Sequence, residues 1–348
     1  MRVLITGANG HIGCHVTRAV AAEGWTPVAF VRPGSDRRGL AGVKCELREG
    51  DLTDAASVRR AMEGIEAVMH VGAVHRNAEA TDGEMARTAL DGTTAVLEAA
   101  AAAKVRRLVL TSSGATVGFA PDPSKPLDES HHQQRTSSPY TRAKVEQERL
   151  ALALGAKLGV EVVVTNPTGV FGPRDYRLTP ATRGLIGLLQ GDPAIFHLCV
   201  TDVRDVGASH VLAWKKGAAG QRYLVAGDQL SPRQVADLFA ELGGARPMAV
   251  RPPAFVLRFV IGRAEKKAKR EQVDPPASLA NLEDLAGGHL AYDAGRSRRE
   301  LGMTYRPAKD VLRDSFRWLL HVKALKPKVE ERVRAALGSA AVPDSDWT

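Results

Sequence analysis

Three side chains far apart in the sequence have the types needed to protonate a carbonyl oxygen. Tyr140 and Lys144 are four residues apart in a segment of helical composition, so their side chains project from the same face. Ser113 ends a predicted strand over 105–113. A carbonyl that accepts a hydride develops negative charge on oxygen, so a proton donor must lie beside it. We expect Tyr140 to donate this proton and Ser113 to hold the oxygen. Ser112 is the alternative for holding the oxygen. Successive side chains of a strand point to opposite faces, however, so Ser112 is expected to point away from the carbonyl.

Lys144 is expected to act through its charge. Tyrosine has a reference pKa of ~10, and lowering it by ~3 units requires ~4 kcal/mol. One ammonium ~4 Å away supplies ~1 kcal/mol in bulk water but ~4 kcal/mol at the effective dielectric near a protein surface. Lys144 can therefore bring the pKa of Tyr140 towards neutrality only where water is largely excluded.

The first two dozen residues predict a strand, a glycine turn and a helix in direct succession. Arg2 to Ile5 is a short apolar run, Thr6 to Gly13 is rich in glycine, and Cys14 to Glu23 has helical composition. Glycines at positions 7, 10 and 13 allow a sharp turn and leave room for a pyrophosphate at the helix N-terminus. This order favours a dinucleotide site over an ordinary tight loop.

Taken together, these motifs resemble the extended branch of the short-chain dehydrogenase/reductase superfamily, the NAD(P)-dependent epimerase/dehydratase family. The shared features are Thr followed by Gly-x-x-Gly-x-x-Gly, the serines after the fifth strand, and Tyr-x-x-x-Lys. The resemblance extends over nearly the whole chain and is closest to dihydroflavonol-4-reductase-like members, on 166–176 and 202–206. It implies hydride transfer with a nicotinamide cofactor, Tyr140 being the acid/base and Lys144 its partner and the anchor of the nicotinamide ribose.

The resemblance also implies which residues hold the cofactor. In dinucleotide folds an acid at the end of the second strand favours NAD, and a basic residue accommodates the 2′-phosphate of NADP. Val31 stands at this place and Arg32 follows, with Arg37 and Arg38 nearby. We expect NADP(H) as the preferred cofactor and NAD(H) as the alternative; arginines in a solvated loop are the other interpretation. The expected cofactor-binding residues are Gly7, Asn9, Gly10, His11, Ile12, Gly13, Arg32, Asp51, Leu52, Val71, Gly72, Ala73, Lys144, Pro167, Thr168, Gly169 and Val170.

Alternating strands and helices predict an α/β fold, a Rossmann-type doubly wound parallel sheet with a smaller, mostly helical C-terminal substrate-binding cap. We assign 1–170 to the dinucleotide-binding domain, with 200–226 returning to it through a strand over 221–226. The cap comprises 171–199 and 227–337, with helices predicted over 174–190 and 231–242, and the stretch 305–318 is expected to end the folded part. Residues 338–348 are expected to form a loose tail.

The substrate itself is not specified by the sequence. Residues expected to line its pocket are Thr116, His131, Phe171, Arg174 and Tyr176. Two positions depart from the family pattern. Ala89 stands where many relatives carry Asn, so the proton-relay water of those relatives is not expected in this protein. Gly118 stands where plant flavonoid reductases carry a substrate-binding Asn, so a flavonoid substrate does not follow either.

Composition limits the classes of partner. The 348 residues carry a formal net charge of +9, but five of the basic residues fall within 263–270, after a short apolar run. Peripheral membrane contact through 254–270 is one interpretation of this stretch, and a solvated helix face is the other. Aromatic content of 5% argues against a nucleic-acid surface.

The chain offers no metal-ligand spacing and no apolar run of the ~20 residues that span a bilayer. With the first strand predicted from Val3, we expect no signal peptide. Three widely separated cysteines fit a reduced, cytoplasmic protein, which we expect to be a homodimer or a monomer.

The function expected from these observations is NADP(H)-dependent reduction of a small-molecule ketone or aldehyde to an alcohol, or the reverse. One alternative is an NAD-retaining sugar-nucleotide epimerase or dehydratase, although the Thr-Asp-Glu cluster of such dehydratases is missing after the serine strand. A non-catalytic NADP-binding regulator is the other alternative, but it has no need of Ser113, Tyr140 and Lys144 together.

Overall fold

The centre of the molecule is a seven-stranded parallel sheet with the strand order β3-β2-β1-β4-β5-β6-β9. The computed structural model describes residues 1–72, 82–133, 136–249, 253–270 and 289–341. The strands are β1 Arg2–Thr6, β2 Thr26–Val31, β3 Glu46–Glu49, β4 Ala67–His70, β5 Arg107–Thr111, β6 Glu161–Pro167, β7 Val170–Phe171, β8 Leu198–Asp202, β9 Arg222–Val225 and β10 Asp228–Leu230. This sheet confirms the predicted doubly wound fold.

Helices connect most of the strands. They are α1 His11–Ala22, α2 Ala55–Ala61, α3 Asp82–Ala102, α4 Pro139–Leu158, α5 Pro180–Leu189, α6 Val203–Lys216, α7 Pro232–Gly243, α8 Ala254–Arg270, α9 Ala308–His321 and α10 Pro327–Leu337. Shorter helical turns lie at Arg38–Leu40, Gly114–Thr116, Ser297–Leu301 and Gly338–Ala341. Within the described residues, no helix is long and apolar enough to cross a membrane.

The chain reverses its winding direction between β1 and β4. It runs outward from β1 to β2 and β3, then crosses back so that β4 pairs with the other side of β1. In such sheets the crevice beyond the carboxyl ends of the strands at this switch point binds the ligand. Thr6, His70, Thr111 and Pro167 end four neighbouring strands at this edge, so the segments that follow them share one site.

Both faces of the sheet are buried, as the β-branched composition of its strands requires. Val16 and Val20 of α1 and Val206 of α6 pack on one face. Leu97 of α3 and Ala151 of α4 pack on the other. The sheet is therefore a rigid support for the loops at its carboxyl edge.

A second core lies among the C-terminal helices. The small sheet β10-β8-β7 lies beside α5, α7, α9 and α10, and the core includes Leu189, Phe239, Phe316 and Val333. The predicted strand over 221–226 is present as β9 and pairs with β6 in the main sheet.

Two predictions in this part were wrong. The helix expected over 174–190 begins only at Pro180, because Arg174 and Leu178 have left-handed backbone (φ 67° and 49°) that a helix does not accommodate. The folded part does not end at Trp318, as expected from the sequence. It continues into α10, which buries Val329 and Val333 at a four-residue spacing. Part of the predicted tail, 342–348, lies outside the described residues.

Candidate active site

Tyr140 and Ser113 are in direct contact at the carboxyl edge of β5. The side chain of Ser138 accepts from the backbone N–H of Thr141 and so fixes the start of α4, on whose first turn Tyr140 lies. Ser113 hydrogen-bonds the half-buried phenol. Its hydroxyl oxygen also accepts from the backbone N–H of Ala115, at 3.2 Å. These bonds hold hydroxyl and phenol side by side.

Ser112 points elsewhere. It is buried, and its hydroxyl donates to Oε2 of Glu148 at 2.5 Å. The alternation of side chains along an extended segment accounts for the opposite directions of Ser112 and Ser113. Of the two serines, only Ser113 contacts the phenol.

Lys144 lies buried one helical turn after Tyr140. Its Nζ donates to the carbonyl oxygen of Thr111 at 3.1 Å and to Oε1 of Gln147 at 3.0 Å. Burial lowers the pKa of Lys144 to about 8, and the charge of Glu148 opposes this shift. At pH 7 the ammonium is therefore the majority form, by about ten to one.

The pKa of Tyr140 moves opposite to the direction expected from the sequence. Burial raises the pKa of this phenol, and the hydrogen bond from Ser113 only partly opposes the shift. The cost of burying a phenolate is larger here than the stabilisation from its neighbours. Tyr140 is accordingly a protonated donor at neutral pH.

A chain of buried hydrogen bonds joins Lys144 to the glycine turn. Nε2 of Gln147 donates to the hydroxyl of Thr93 at 2.9 Å, and this hydroxyl lies 3.1 Å from Nε2 of His70. Nδ1 of His70 lies 2.8 Å from the hydroxyl of Thr6. Burial lowers the pKa of His70 to about 3, so the imidazole is neutral. The chain couples the position of the lysine to the start of the cofactor turn.

Sequence reasoning missed these residues. Gln147 lies three positions after Lys144 on the same helix, and that spacing is the signal that would have found it. The partners contributed by Thr93 and His70 come from other elements, and only the fold brings them together.

A second buried network fixes the loop that precedes α4. Glu148 accepts from Nδ2 of Asn166 at 2.8 Å and pairs with Nε of Arg222 at 2.7 Å. Arg222 also donates to the carbonyl oxygens of Glu129 and His131, at 3.0 and 2.8 Å. One guanidinium on β9 therefore anchors this loop to the sheet.

The five residues predicted to line a substrate pocket do not form one surface. Thr116 is 2% exposed, and its hydroxyl accepts from Asn166 and Arg222 within the Glu148 network. Phe171 is equally buried in the second core. The structure thus places both inside the protein, where neither is available to a substrate.

The other three have different positions. His131 is exposed and pairs with Asp128 at 3.0 Å. Arg174 is buried close enough to Cys14 of α1 to influence the pKa of its thiol. The ring of Tyr176 lies 4.6 Å from the guanidinium carbon of Arg38 in the loop after β2. Arg174 and Tyr176 therefore lie beside α1 and the loop after β2, away from the exposed His131.

The glycine turn has the shape of a pyrophosphate cradle. Gly7 has a φ of 64°, and a Cβ there would lie 2.7 Å from Cα of Gly72. A Cβ on Gly13 would lie 2.1 Å from the carbonyl oxygen of Gly7. The first helical bond of α1 runs from Cys14 to Gly10. The backbone N–H groups of residues 11–13, which include His11 and Ile12, therefore have no partner inside the helix. Free N–H groups at a helix N-terminus are the groups that bind phosphate.

The side chain of His11 lies at the same turn. It is 5% exposed and 3.9 Å from Asp175, and its Nε2 has no hydrogen-bond partner in the described part of the chain. Asn9 ties the turn to the loop after β2 by donating to the carbonyl oxygen of Asp36 at 2.8 Å. An unsatisfied donor or acceptor beside free N–H groups fits a site made for a polar ligand.

The three arginines after β2 differ in their partners. Arg37 pairs with Glu49, and the guanidinium of Arg38 makes three hydrogen bonds to the carboxylate of Asp36. Arg32 is exposed and has no ion pair with any carboxylate in the described ranges, although its charge lowers the pKa of Asp51. Arg32 is thus the guanidinium in this loop that remains available to a phosphate.

The remaining predicted cofactor residues lie at the same edge of the sheet. Asp51 accepts from Thr53, and Leu52 packs against Gly72. Thr168 and Gly169 follow β6; the hydroxyl of Thr168 lies 2.8 Å from that of Thr201. Val71 and Gly72 follow β4, Pro167 ends β6, and Val170 begins β7. Ala73 lies outside the described residues.

A metal centre has no support in the described ranges. These ranges contain no group of three or more His, Cys, Asp or Glu side chains that could hold a metal ion.

Comparison with known proteins identifies the family and the fold. A family model described as "NAD dependent epimerase/dehydratase family" matches residues 3–226. The chain is 32% identical to sterol demethylase protein B of Methylococcus capsulatus over 327 residues, 91% of this chain and 98% of the relative. It is 28% identical to a putative dihydroflavonol 4-reductase of Synechocystis sp., over 90% and 93% of the two chains. It is 30% identical to cinnamoyl-CoA reductase 1 of Arabidopsis thaliana, over 86% and 95%.

Solved structures agree with this fold. The crystal structure of gox2253 superposes with a TM-score of 0.81 at 26% identity, covering 93% of this chain and 99% of that one. Yeast methylglyoxal/isovaleraldehyde reductase Gre2, complexed with NADPH, superposes with a TM-score of 0.70 at 20% identity, covering 93% and 99%.

Proposed function

The chain belongs to the NAD dependent epimerase/dehydratase family, and from this membership we propose that it reduces a ketone or aldehyde to an alcohol, or runs the reverse reaction, with NADP(H). The family and the relatives establish an NAD(P)-dependent enzyme of the extended short-chain dehydrogenase/reductase type. The observation that carries the finer proposal is the contact between Ser113 and Tyr140, with Lys144 one turn away.

Ser113 and Tyr140 would share the work of holding a carbonyl oxygen. Both hydroxyls lie at one edge of the sheet, so an oxygen placed between them receives two hydrogen bonds. Bound NADPH would supply the hydride to the carbonyl carbon. As negative charge grows on the oxygen, the phenol of Tyr140 releases its proton there, and its raised pKa keeps it protonated until then. The ammonium of Lys144 stabilises the phenolate that remains.

We propose NADP(H) over NAD(H) because of Arg32. It follows β2 at the position where an acid would bind the adenosine ribose, and its neighbours Arg37 and Arg38 already have carboxylate partners. A charge-assisted hydrogen bond to the 2′-phosphate contributes ~1.5–3 kcal/mol. This corresponds to a preference of roughly ten- to a hundredfold.

The substrate is proposed from the names of relatives and from the position of the second core. We place it between the carboxyl edge of the main sheet and a cap formed by 171–199 and 227–337. The relatives act, by their names, on a sterol, on a dihydroflavonol and on cinnamoyl-CoA. All three named compounds contain an apolar ring system, a sterol nucleus or an aromatic ring, which favours a carbonyl compound with such a ring system here.

The experiment is a steady-state assay of cofactor oxidation against one carbonyl compound from each of these classes. A 3-ketosteroid, a dihydroflavonol, cinnamoyl-CoA and simple aldehydes are each tested with NADPH and with NADH. The proposal predicts turnover of at least one compound, with a higher kcat/KM for NADPH. A higher value for NADH in every case would contradict the cofactor assignment.

The same preparation tests the epimerase alternative. Enzymes that return the hydride to their own substrate retain the cofactor, so the purified protein is denatured and the released nucleotide is quantified. Stoichiometric NAD, together with no carbonyl turnover, would overturn the reductase proposal in favour of the epimerase.

A further inference from the structure

Helix α8 carries an unusual concentration of exposed apolar side chains. Large apolar residues that are exposed in the described part of the chain are Leu47, Met248, Phe255 and Phe259. Three of these four lie on α8 or shortly before it. Phe255 is 74% exposed and Phe259 is 66% exposed, and they are one helical turn apart. Two neighbouring phenylalanine rings are therefore exposed to solvent on one face of α8.

The same face of α8 also carries basic side chains. At 3.6 residues per turn, Phe255, Phe259, Arg263, Lys266 and Arg270 fall within a stripe roughly 80° wide. All five are exposed. The stripe thus has an apolar N-terminal half and a basic C-terminal half.

The opposite face of α8 packs against the protein. Ile261 is buried and lies about 200° around the helix from the centre of the stripe. Arg263 lies with its guanidinium carbon 5.8 Å from the ring of Phe259. Arg263, Lys266 and Arg270 make no ion pair with a carboxylate in the described ranges. Both the rings and the charges therefore face outward from a helix whose other side is anchored.

We propose that α8 docks this protein on the surface of an anionic lipid bilayer. Phe255 and Phe259 enter the boundary between headgroups and acyl chains, while Arg263, Lys266 and Arg270 contact lipid phosphates. Charge complementarity favours an anionic membrane as the partner of this face of α8. The basic half of the stripe is complementary to the phosphates of an anionic leaflet, and its apolar half is suited to the acyl-chain region of the bilayer beneath those phosphates. A second copy of the same helix would instead bring like charges together.

The contributions of the two halves of the stripe can be separated. Each basic side chain near an anionic surface contributes about fivefold to partitioning, so three contribute on the order of a hundredfold. Each phenylalanine that leaves water contributes about tenfold or more. Screening shortens the Debye length from ~10 Å at 0.1 M salt to ~3 Å at 1 M, so the basic contribution falls with salt and the apolar one does not.

The test is co-sedimentation of the full chain with phosphatidylcholine vesicles, with and without phosphatidylglycerol. The proposal predicts binding that requires phosphatidylglycerol and weakens with salt. The triple variant Arg263→Gln, Lys266→Gln, Arg270→Gln is expected to bind on the order of a hundredfold more weakly. The double variant Phe255→Ser, Phe259→Ser is expected to bind at least about a hundredfold more weakly at every salt concentration.

A matched control removes the same number of charges elsewhere. Lys125, Lys326 and Lys328 are exposed and lie outside α8, and their triple change to Gln lowers the net charge equally. This control is expected to bind vesicles like the parent chain, and thermal unfolding verifies that every variant is folded. Equal loss in control and α8 variants would show non-specific adsorption of a basic protein and would overturn the proposal.

Two further outcomes would also overturn it. One is a dimer that the phenylalanine variant dissociates, without vesicle binding. The other is binding to duplex DNA that is tighter than binding to phosphatidylglycerol vesicles.

Discussion

The charge state of Lys144 can be moved in either direction through Gln147. The amide oxygen of Gln147 accepts from Nζ of Lys144 at 3.0 Å, and its amide nitrogen donates to Thr93. Gln147→Glu keeps the shape of the side chain and places an anion beside the ammonium. Gln147→Met keeps the length but removes the acceptor. The two variants therefore act on the same lysine with opposite electrostatic sign.

The magnitude follows from the geometry. A unit charge ~4 Å from the ammonium contributes ~4 kcal/mol at an effective dielectric constant of ~20. This corresponds to roughly three pKa units at ~1.36 kcal/mol per unit. The pKa of Lys144 is about 8 in the parent chain. We expect Gln147→Glu to raise it above ~10 and Gln147→Met to lower it below 8.

The assay is the pH dependence of kcat/KM for NADPH, which reports the ionisations of the free enzyme. Lys144 loses its positive charge as pH rises through its pKa, so activity that needs the ammonium falls on the alkaline side. In the parent chain this fall is expected near pH 8. It moves to higher pH in Gln147→Glu and to lower pH in Gln147→Met. An alkaline limb that stays in place in both variants, or moves the same way in both, would refute the electrostatic role of Lys144.

Other consequences follow from the cofactor site and the buried histidine. Arg32→Gln is expected to raise the Kd of NADPH roughly ten- to a hundredfold and to leave that of NADH unchanged; equal titration curves for both would contradict the 2′-phosphate assignment. Gly13→Ala is expected to abolish binding of both cofactors, because its Cβ would lie 2.1 Å from the carbonyl oxygen of Gly7; retained affinity would show that the turn is not the cradle. His70 has a folded pKa of about 3, below its unfolded value, so its contribution to stability is complete above pH ~6.5 and is lost as pH falls towards 3. Urea unfolding should therefore show about 2 kcal/mol less stability from this group at pH ~5 than at pH ~6.5, and His70→Gln should remove that part of the dependence.

Features coded by local sequence were predictable. The parallel sheet follows from apolar runs that alternate with helical segments, and the structure confirms it. The glycine turn follows from three glycines between a strand and a helix. In both cases neighbouring residues determine the conformation, so a short window of sequence is enough.

Features that depend on distant packing were not predictable. Tyr176 was expected to line the substrate pocket, yet its segment, with left-handed backbone at Arg174 and Leu178, places the ring against Arg38. Helix α10 has only three buried positions and is stabilised by α7 and α9, so its own sequence pattern was weak.

The chemistry of the candidate active site was predictable only in part. Tyr140 and Lys144 share a helix face, and their spacing alone predicted that they are neighbours. The direction of the Tyr140 pKa shift depends on burial, which the sequence does not reveal. The roles of Ser113, Tyr140 and Lys144 in catalysis remain predictions.

The most direct measurement is single-turnover NADPH oxidation by Tyr140→Phe, with NADPH affinity measured on the same preparation. Removal of the phenolic hydroxyl leaves the glycine turn and Lys144 in place, so the Kd for NADPH is expected to stay within about twofold of the parent value. The rate of cofactor oxidation by a carbonyl substrate is expected to fall about 100- to 10,000-fold, the contribution of a general acid. Oxidation at the parent rate, with NADPH bound normally, would contradict the assignment of Tyr140 as the proton donor.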